Sequence, residues 1–76
     1  MKRTKKPEDY SLGENLRKAR EEAGFTQLEL ANALGVFQKD ISRWERNIQV
    51  PNVITFRRIC TILNTSSDYI LALFQP

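Results

Sequence analysis

Residues 26–47, TQLELANALGVFQKDISRWERN, limit the possible folds more than any other stretch of the chain. Thr26 and Glu29 have the spacing of a capping box, in which a hydroxyl accepts the backbone N–H three residues on and the carboxylate reaches back to the cap. They predict a helix beginning at Gln27, and Phe25 and Leu30 stand where a hydrophobic staple would close around its start. Ala31 is small enough for a second helix to cross close by. Gly35, four residues later, offers a turn position open to positive φ, and Ile41 lies six residues beyond it. A further helix over about 37–46 then places Phe37, Ile41 and Trp44 on one apolar stripe, with Gln38, Lys39, Ser42, Arg43 and Arg46 on the other side. Two short helices joined by a glycine turn follow, the second with a polar, basic face left over.

Such a face suits the edges of bases. Arg can make two hydrogen bonds to guanine and Gln two to adenine in the major groove, which is wide enough to admit a helix. The stretch resembles the helix-turn-helix domain of phage repressors and Cro proteins, also called the XRE family. The resemblance is carried by Thr26-Gln27, Leu30-Ala31, Leu34-Gly35-Val36 and Ile41-Ser42-Arg43-Trp44-Glu45. It continues in Gly24, Pro51 and Ser66-x-Asp68-Tyr69-Ile70-Leu71, so that it covers the chain beyond its N-terminal arm. The resemblance implies an all-α, compact, five-helix repressor-like domain over residues 11–76, preceded by a flexible basic arm over residues 1–10.

The composition agrees with one small domain and excludes several chemistries. Seventy-six residues leave a core that is marginal unless the helices pack closely or a second copy helps. With no histidine and one cysteine, the chain lacks the usual zinc spacings, an internal disulfide and a nucleophile beside a base, and no phosphate-binding glycine loop is present. An enzyme, a metal site and a cofactor are therefore not expected. Nothing apolar follows Lys6 as a signal peptide requires, and no stretch reaches membrane-spanning length, so a cytoplasmic, soluble protein is expected. Net charge is +3, but Lys2, Arg3, Lys5 and Lys6 alone supply four positive charges. Basic character is local. The arm reads either as a solvated tail or as a segment that follows the DNA backbone or enters a minor groove.

Ser11 and Glu14 form another capping pair, after which Leu12, Leu16, Ala19 and Ala23 recur at helical spacing up to Gly24, predicting a first helix over about 12–23. The third helix departs from the family pattern at Phe37, where Ser or Thr usually caps. Its ring is expected to fold inward onto Ile41, the other reading being contact with a thymine methyl. Asn47 stands where the family prefers Gly and tolerates the left-handed conformation better than most residues. Pro51-Asn52 opens a fourth helix with Val53, Phe56, Ile59, Cys60 and Leu63 inward and Arg57 and Arg58 outward. Cys60 reads as a small core residue, not a reactive thiol. Thr65-Ser66 starts a fifth helix whose apolar end, Leu71, Leu73 and Phe74, exceeds what one buried stripe requires.

By resemblance, Gln38, Lys39, Ser42 and Arg43 reach base edges, with Arg43 and Gln38 foremost, while Gln27 and the segment around Arg46 and Asn47 hold phosphates. Arg20 matches one partner of a cross-helix ion pair with Glu45 and is a further candidate phosphate contact. Trp44 shares the Ile41 face and reads as core. The expected partner is double-stranded DNA with an inverted-repeat operator, bound by a homodimer joined through Leu71, Leu73 and Phe74. The expected function is a transcriptional regulator of repressor type. An alternative keeps the fold but makes a protein the main partner, as in an antitoxin or a polymerase-docking subunit; the apolar Leu28, where relatives tend to be polar, and the apolar end Leu73-Phe74 favour it.

Overall fold

The computed structural model describes residues 12–65 and Ile70. These contain four helices, α1 (Leu12–Glu22), α2 (Gln27–Leu34), α3 (Gln38–Glu45) and α4 (Val53–Ile62). The five-helix expectation is corrected to four among the described residues. The fifth helix falls on positions outside them, as do the arm, Ser11, Leu71, Leu73 and Phe74. Ile70 is fully buried, and its carbonyl oxygen accepts a hydrogen bond from Asn15 Nδ2 at 3.0 Å, which ties this point of the chain to α1.

Local chemistry sets the helix ends. The Thr26 hydroxyl accepts the Glu29 N–H at 3.0 Å, and Glu29 Oε1 accepts the Thr26 N–H at 2.9 Å, completing the box at the start of α2. Asn52 caps α4 through the Thr55 N–H at 2.8 Å. Caps of this kind each contribute about 1 kcal/mol. Gly35 ends α2 at φ 75° and donates its N–H to the Ala31 carbonyl at 2.8 Å, so the turn between α2 and α3 uses the left-handed conformation that glycine adopts without strain. Asn47 takes the same region, at φ 62°, after α3.

The core gathers Leu16 and Ala19 of α1, Leu30, Ala31 and Leu34 of α2, Ile41 and Trp44 of α3, and Ile59 of α4 with Leu63 and Ile70. Fully burying one Leu or Ile side chain stabilises by roughly 1.5–3 kcal/mol. With so few such residues, each one carries a large part of the fold. Three expected core positions are corrected. Val53 is 74% exposed, because the stripe of α4 meets the core only beyond the first turn, where Phe56 becomes half-buried and Ile59 fully buried. Ala23 lies in the turn after α1 and is exposed. Phe37 is 70% exposed instead of folding onto Ile41, since it precedes α3 with extended backbone (φ −85°, ψ 150°) and so leaves the helical stripe.

Candidate nucleic-acid interface

Helix α3 divides its surface as its sequence predicts. Ile41, Trp44 and Glu45 are buried, Gln38, Lys39 and Arg46 are exposed, and Ser42 and Arg43 are half-buried beside them. Trp44 belongs to the core. Four polar or cationic side chains are thereby brought onto one short helix that rests against both α1 and α2, with Arg46 just past its end.

A buried carboxylate braces this helix from behind. Glu45, near its C-terminal end, accepts Arg20 Nε at 2.6 Å and Arg20 Nη2 at 3.2 Å, and Gln27 Nε2 donates to it at 2.9 Å. The third branch of the Arg20 fork, Nη1, donates to the Phe25 carbonyl at 2.8 Å. Planar guanidinium against carboxylate gives two parallel charge-assisted bonds, an arrangement that fixes orientation as well as charge. The same Gln27 side chain accepts from Gln38 Nε2 at 3.4 Å, so one chain of polar contacts links α1, the start of α2 and both ends of α3.

The expected phosphate contacts lie in different surroundings. The Arg20 side chain is only 9% exposed and all three branches of its guanidinium are engaged within the fold, where it holds α3 in place. Asn47 directs its side-chain oxygen to the backbone N–H of Gly13 at 3.0 Å, tying the turn after α3 to the first turn of α1. Gln27 is half-buried at the start of α2 and Arg46 is exposed, with Arg46 Nε held against the Ser42 carbonyl (3.3 Å) and hydroxyl (3.2 Å).

Two residues that sequence reasoning did not single out, Gly13 and Asn15, and one that it read as solvated, Arg58, complete the frame. Gly13 lies against the end of α3, where any added methyl would run into the carbonyl oxygens of Trp44 and Glu45. A glycine in the first turn of a helical pattern was the available signal, since glycine inside a helix costs about 1 kcal/mol relative to alanine and needs a reason. Asn15 holds Ile70, and Arg58, expected to be solvated, donates from Nη1 to the last carbonyl of α2, Leu34, at 3.0 Å. At the other end of α3, Phe37 offers no side-chain acceptor, but Asp40 Oδ2 accepts the Phe37 N–H at 3.0 Å, which preserves the return half of a capping box.

An open groove of about 480 Å³ lies on α2 and α4, lined by Ala33, Ile54, Arg57, Arg58, Thr61 and Ile62, and includes none of the α3 residues. Among the described residues no three of His, Cys, Asp and Glu converge as metal ligands would, and no helix is long and apolar enough to cross a membrane.

Two short helices joined at a glycine turn, the second presenting amides, hydroxyl and guanidinium while a buried ion pair fixes its seat, define the helix-turn-helix class. Residues 16–70 match the helix-turn-helix family HTH_3, and the chain belongs to that family. It is similar to the HTH-type transcriptional regulator ImmR of Bacillus subtilis (strain 168), with 38% identity over 61 residues, covering 80% of this chain and 48% of ImmR. It is also similar to the SPbeta prophage-derived uncharacterized HTH-type transcriptional regulator YonR of the same organism, with 30% identity over 60 residues, covering 79% of this chain and 56% of YonR. The chain thus spans about half the length of these curated relatives.

Proposed function

We propose that the chain is a sequence-specific, double-stranded DNA-binding transcriptional regulator of repressor type, reading the major groove with α3. The observation that carries this reading is the outward face of α3, Gln38, Lys39, Ser42 and Arg43, held on a helix whose orientation is fixed by the Arg20–Glu45–Gln27 contacts. Arg43 and Gln38 are the foremost base readers, and Lys39 and Ser42 extend the same face. Gln27, Arg46 and Asn47 are the proposed backbone contacts, with the helix start beside Gln27 to help receive a phosphate. Two relatives named as transcriptional regulators, one of them prophage-derived, support a regulator of phage or mobile-element type.

A single reading helix touches only a few base pairs, too few to select one site in a genome, so the proposal includes a homodimer on an inverted repeat with half-sites about 34–36 Å apart. Leu71, Leu73 and Phe74 are the proposed contact. A protein-docking role is the second reading, favoured by Leu28, which is 52% exposed on α2.

Selection of bound fragments from genomic DNA, followed by footprinting, tests these readings. The expected result is an enriched site with a two-fold symmetric footprint. Arg43→Ala should then cost about 1–3 kcal/mol on that site and relax preference at one base pair, whereas Gln27→Ala should weaken binding to all sequences alike. No enriched sequence, or equal loss of selectivity from both substitutions, would overturn the assignment.

A further inference from the structure

The geometry points to Phe37 as a specificity-determining residue that reads the 5-methyl group of a thymine in each half-site. This rests on the DNA-binding reading of α3 and adds to it a residue and a base.

Scattered apolar side chains are ordinary on protein surfaces, so exposure alone would carry nothing. Phe37 differs in its position and in how it is held. It immediately precedes Gln38, and in helix-turn-helix modules the N-terminal residues of the second helix are those that meet base edges. Its ring lies on the outward side of α3, because the Lys39 ammonium sits over it at 5.6 Å from the ring centroid while the inward stripe is filled by Ile41 and Trp44. Its backbone is fixed from both sides. The Phe37 N–H donates to Asp40 Oδ2 at 3.0 Å, and its carbonyl accepts the Asp40 N–H at 2.9 Å. A large apolar group is therefore presented from a fixed backbone at the end of the helix proposed to enter the groove.

The major groove offers such a group one chemical match. Most of its floor is hydrogen-bond donors and acceptors, and among the bases thymine alone projects an apolar methyl into it. Burying an aromatic ring against donors and acceptors would leave them unpaired, so the ring favours thymine and disfavours the other bases. The neighbours of Phe37 argue for nucleic acid over a protein partner. Gln38 and Lys39 follow it, and charged side chains such as Lys39 are depleted from the cores of protein interfaces. With the ammonium over the ring, one aromatic group and one cation approach the DNA together, and the cation suits the negative potential there.

The test uses synthetic duplexes of the site obtained by selection, with each thymine replaced in turn by deoxyuridine, which lacks only the methyl. Affinity is read by fluorescence anisotropy at fixed salt. The wild-type chain should lose affinity about fourfold at one position of each half-site, the factor equivalent to roughly 0.8 kcal/mol for one buried methylene-sized group. Phe37→Ala should bind the thymine and uracil duplexes equally at that position, while Arg43→Ala should keep the difference. Phe37→Leu should retain part of it. Thermal melting should show both Phe37 variants folded, as the ring is outside the core. A Phe37→Ala chain that keeps the discrimination, or keeps full affinity because the ring serves a protein partner, would overturn the inference and leave α3 as a reader. Absence of any selected DNA site would overturn the underlying reading and this one with it.

Discussion

Glu45→Ala is the perturbation whose size follows most directly from the structure. The carboxylate accepts three hydrogen bonds, two from Arg20 and one from Gln27, and its own side chain is 3% exposed. Removing it leaves the Arg20 guanidinium, 9% exposed, with the Phe25 carbonyl and a distant Glu21 carboxylate at 3.9 Å. Breaking one side of a buried pair costs about 3–5 kcal/mol, chiefly because the surviving charge stays desolvated. Gln27 is only half-buried and can turn to water, so the lower end, about 3 kcal/mol, is expected. Domains have total stabilities of roughly 5–15 kcal/mol, and a core this small belongs near the bottom of that range. Urea unfolding followed by Trp44 fluorescence should therefore show a midpoint lower by roughly 2–3 M, for an m-value of about 1–1.5 kcal/mol/M. The double variant Arg20→Met with Glu45→Leu should recover much of the loss, because no lone charge remains buried. A loss under about 1 kcal/mol, the range of exposed ion pairs, or simple additivity of the two single changes would refute the reasoning.

Two further predictions concern packing and the thiol. Gly13→Ala should destabilise by about 1–3 kcal/mol, the usual cost of overpacking, because the added methyl meets backbone carbonyls of Trp44 and Glu45 that cannot rotate away; an unchanged melting temperature would show that α1 and α3 approach less closely. Burial raises the Cys60 pKa above its ordinary value, so ionising it is harder in the folded chain than in the unfolded one. Its contribution to stability is complete below the ordinary thiol pKa and is lost as pH rises through the raised folded value. Iodoacetamide should therefore alkylate the native thiol more slowly than the urea-unfolded one, with the gap narrowing at high pH, and equal rates at neutral pH would count against burial.

How much of this was legible in the sequence depended on whether the governing interaction was local. The Thr26–Glu29 box, the Asn52 cap and the left-handed Gly35 and Asn47 all involve groups within a few residues of each other, and each is found where its sequence signal stood. Leu16, Ala19, Leu30, Ile41, Trp44, Ile59 and Leu63 were readable from period alone, since a helix of several turns must turn the same face to its neighbours. Phe37 and Val53 were misread for a common reason. Period arithmetic extends the stripe to the first residue of a pattern, but a residue at the cap or in the first turn either leaves the helical wheel or projects past the neighbouring helix. Arg20 shows the complementary limit. An arginine late in a helix can lie in solvent or under a crossing helix, and only the crossing of α1 with α3, made close by Gly13, decides between them.

The same placement explains how a domain with so small a core can hold a reading helix in register. The buried ion pair adds little net stability, since desolvation offsets much of the attraction, but it acts at one end of α3, and so do the other long-range constraints. Glu45 takes Arg20 and Gln27 from two helices, the carbonyls of Trp44 and Glu45 rest on Gly13, and Asn47 just beyond accepts the Gly13 N–H. The N-terminal end is held differently, by the local Asp40 contact to Phe37 and by a single 3.4 Å bond between Gln38 and Gln27. Backbone position is thus set at the C-terminal end, beside Arg43 and away from Phe37, Gln38 and Lys39. The reading end keeps side-chain freedom, at Gln38 and Lys39 in particular, to adjust to the groove without disturbing the core. Substitutions at Phe37, Gln38 and Lys39 should accordingly change which DNA is bound more than whether the chain folds, whereas those at Gly13, Arg20 and Glu45 should do the reverse.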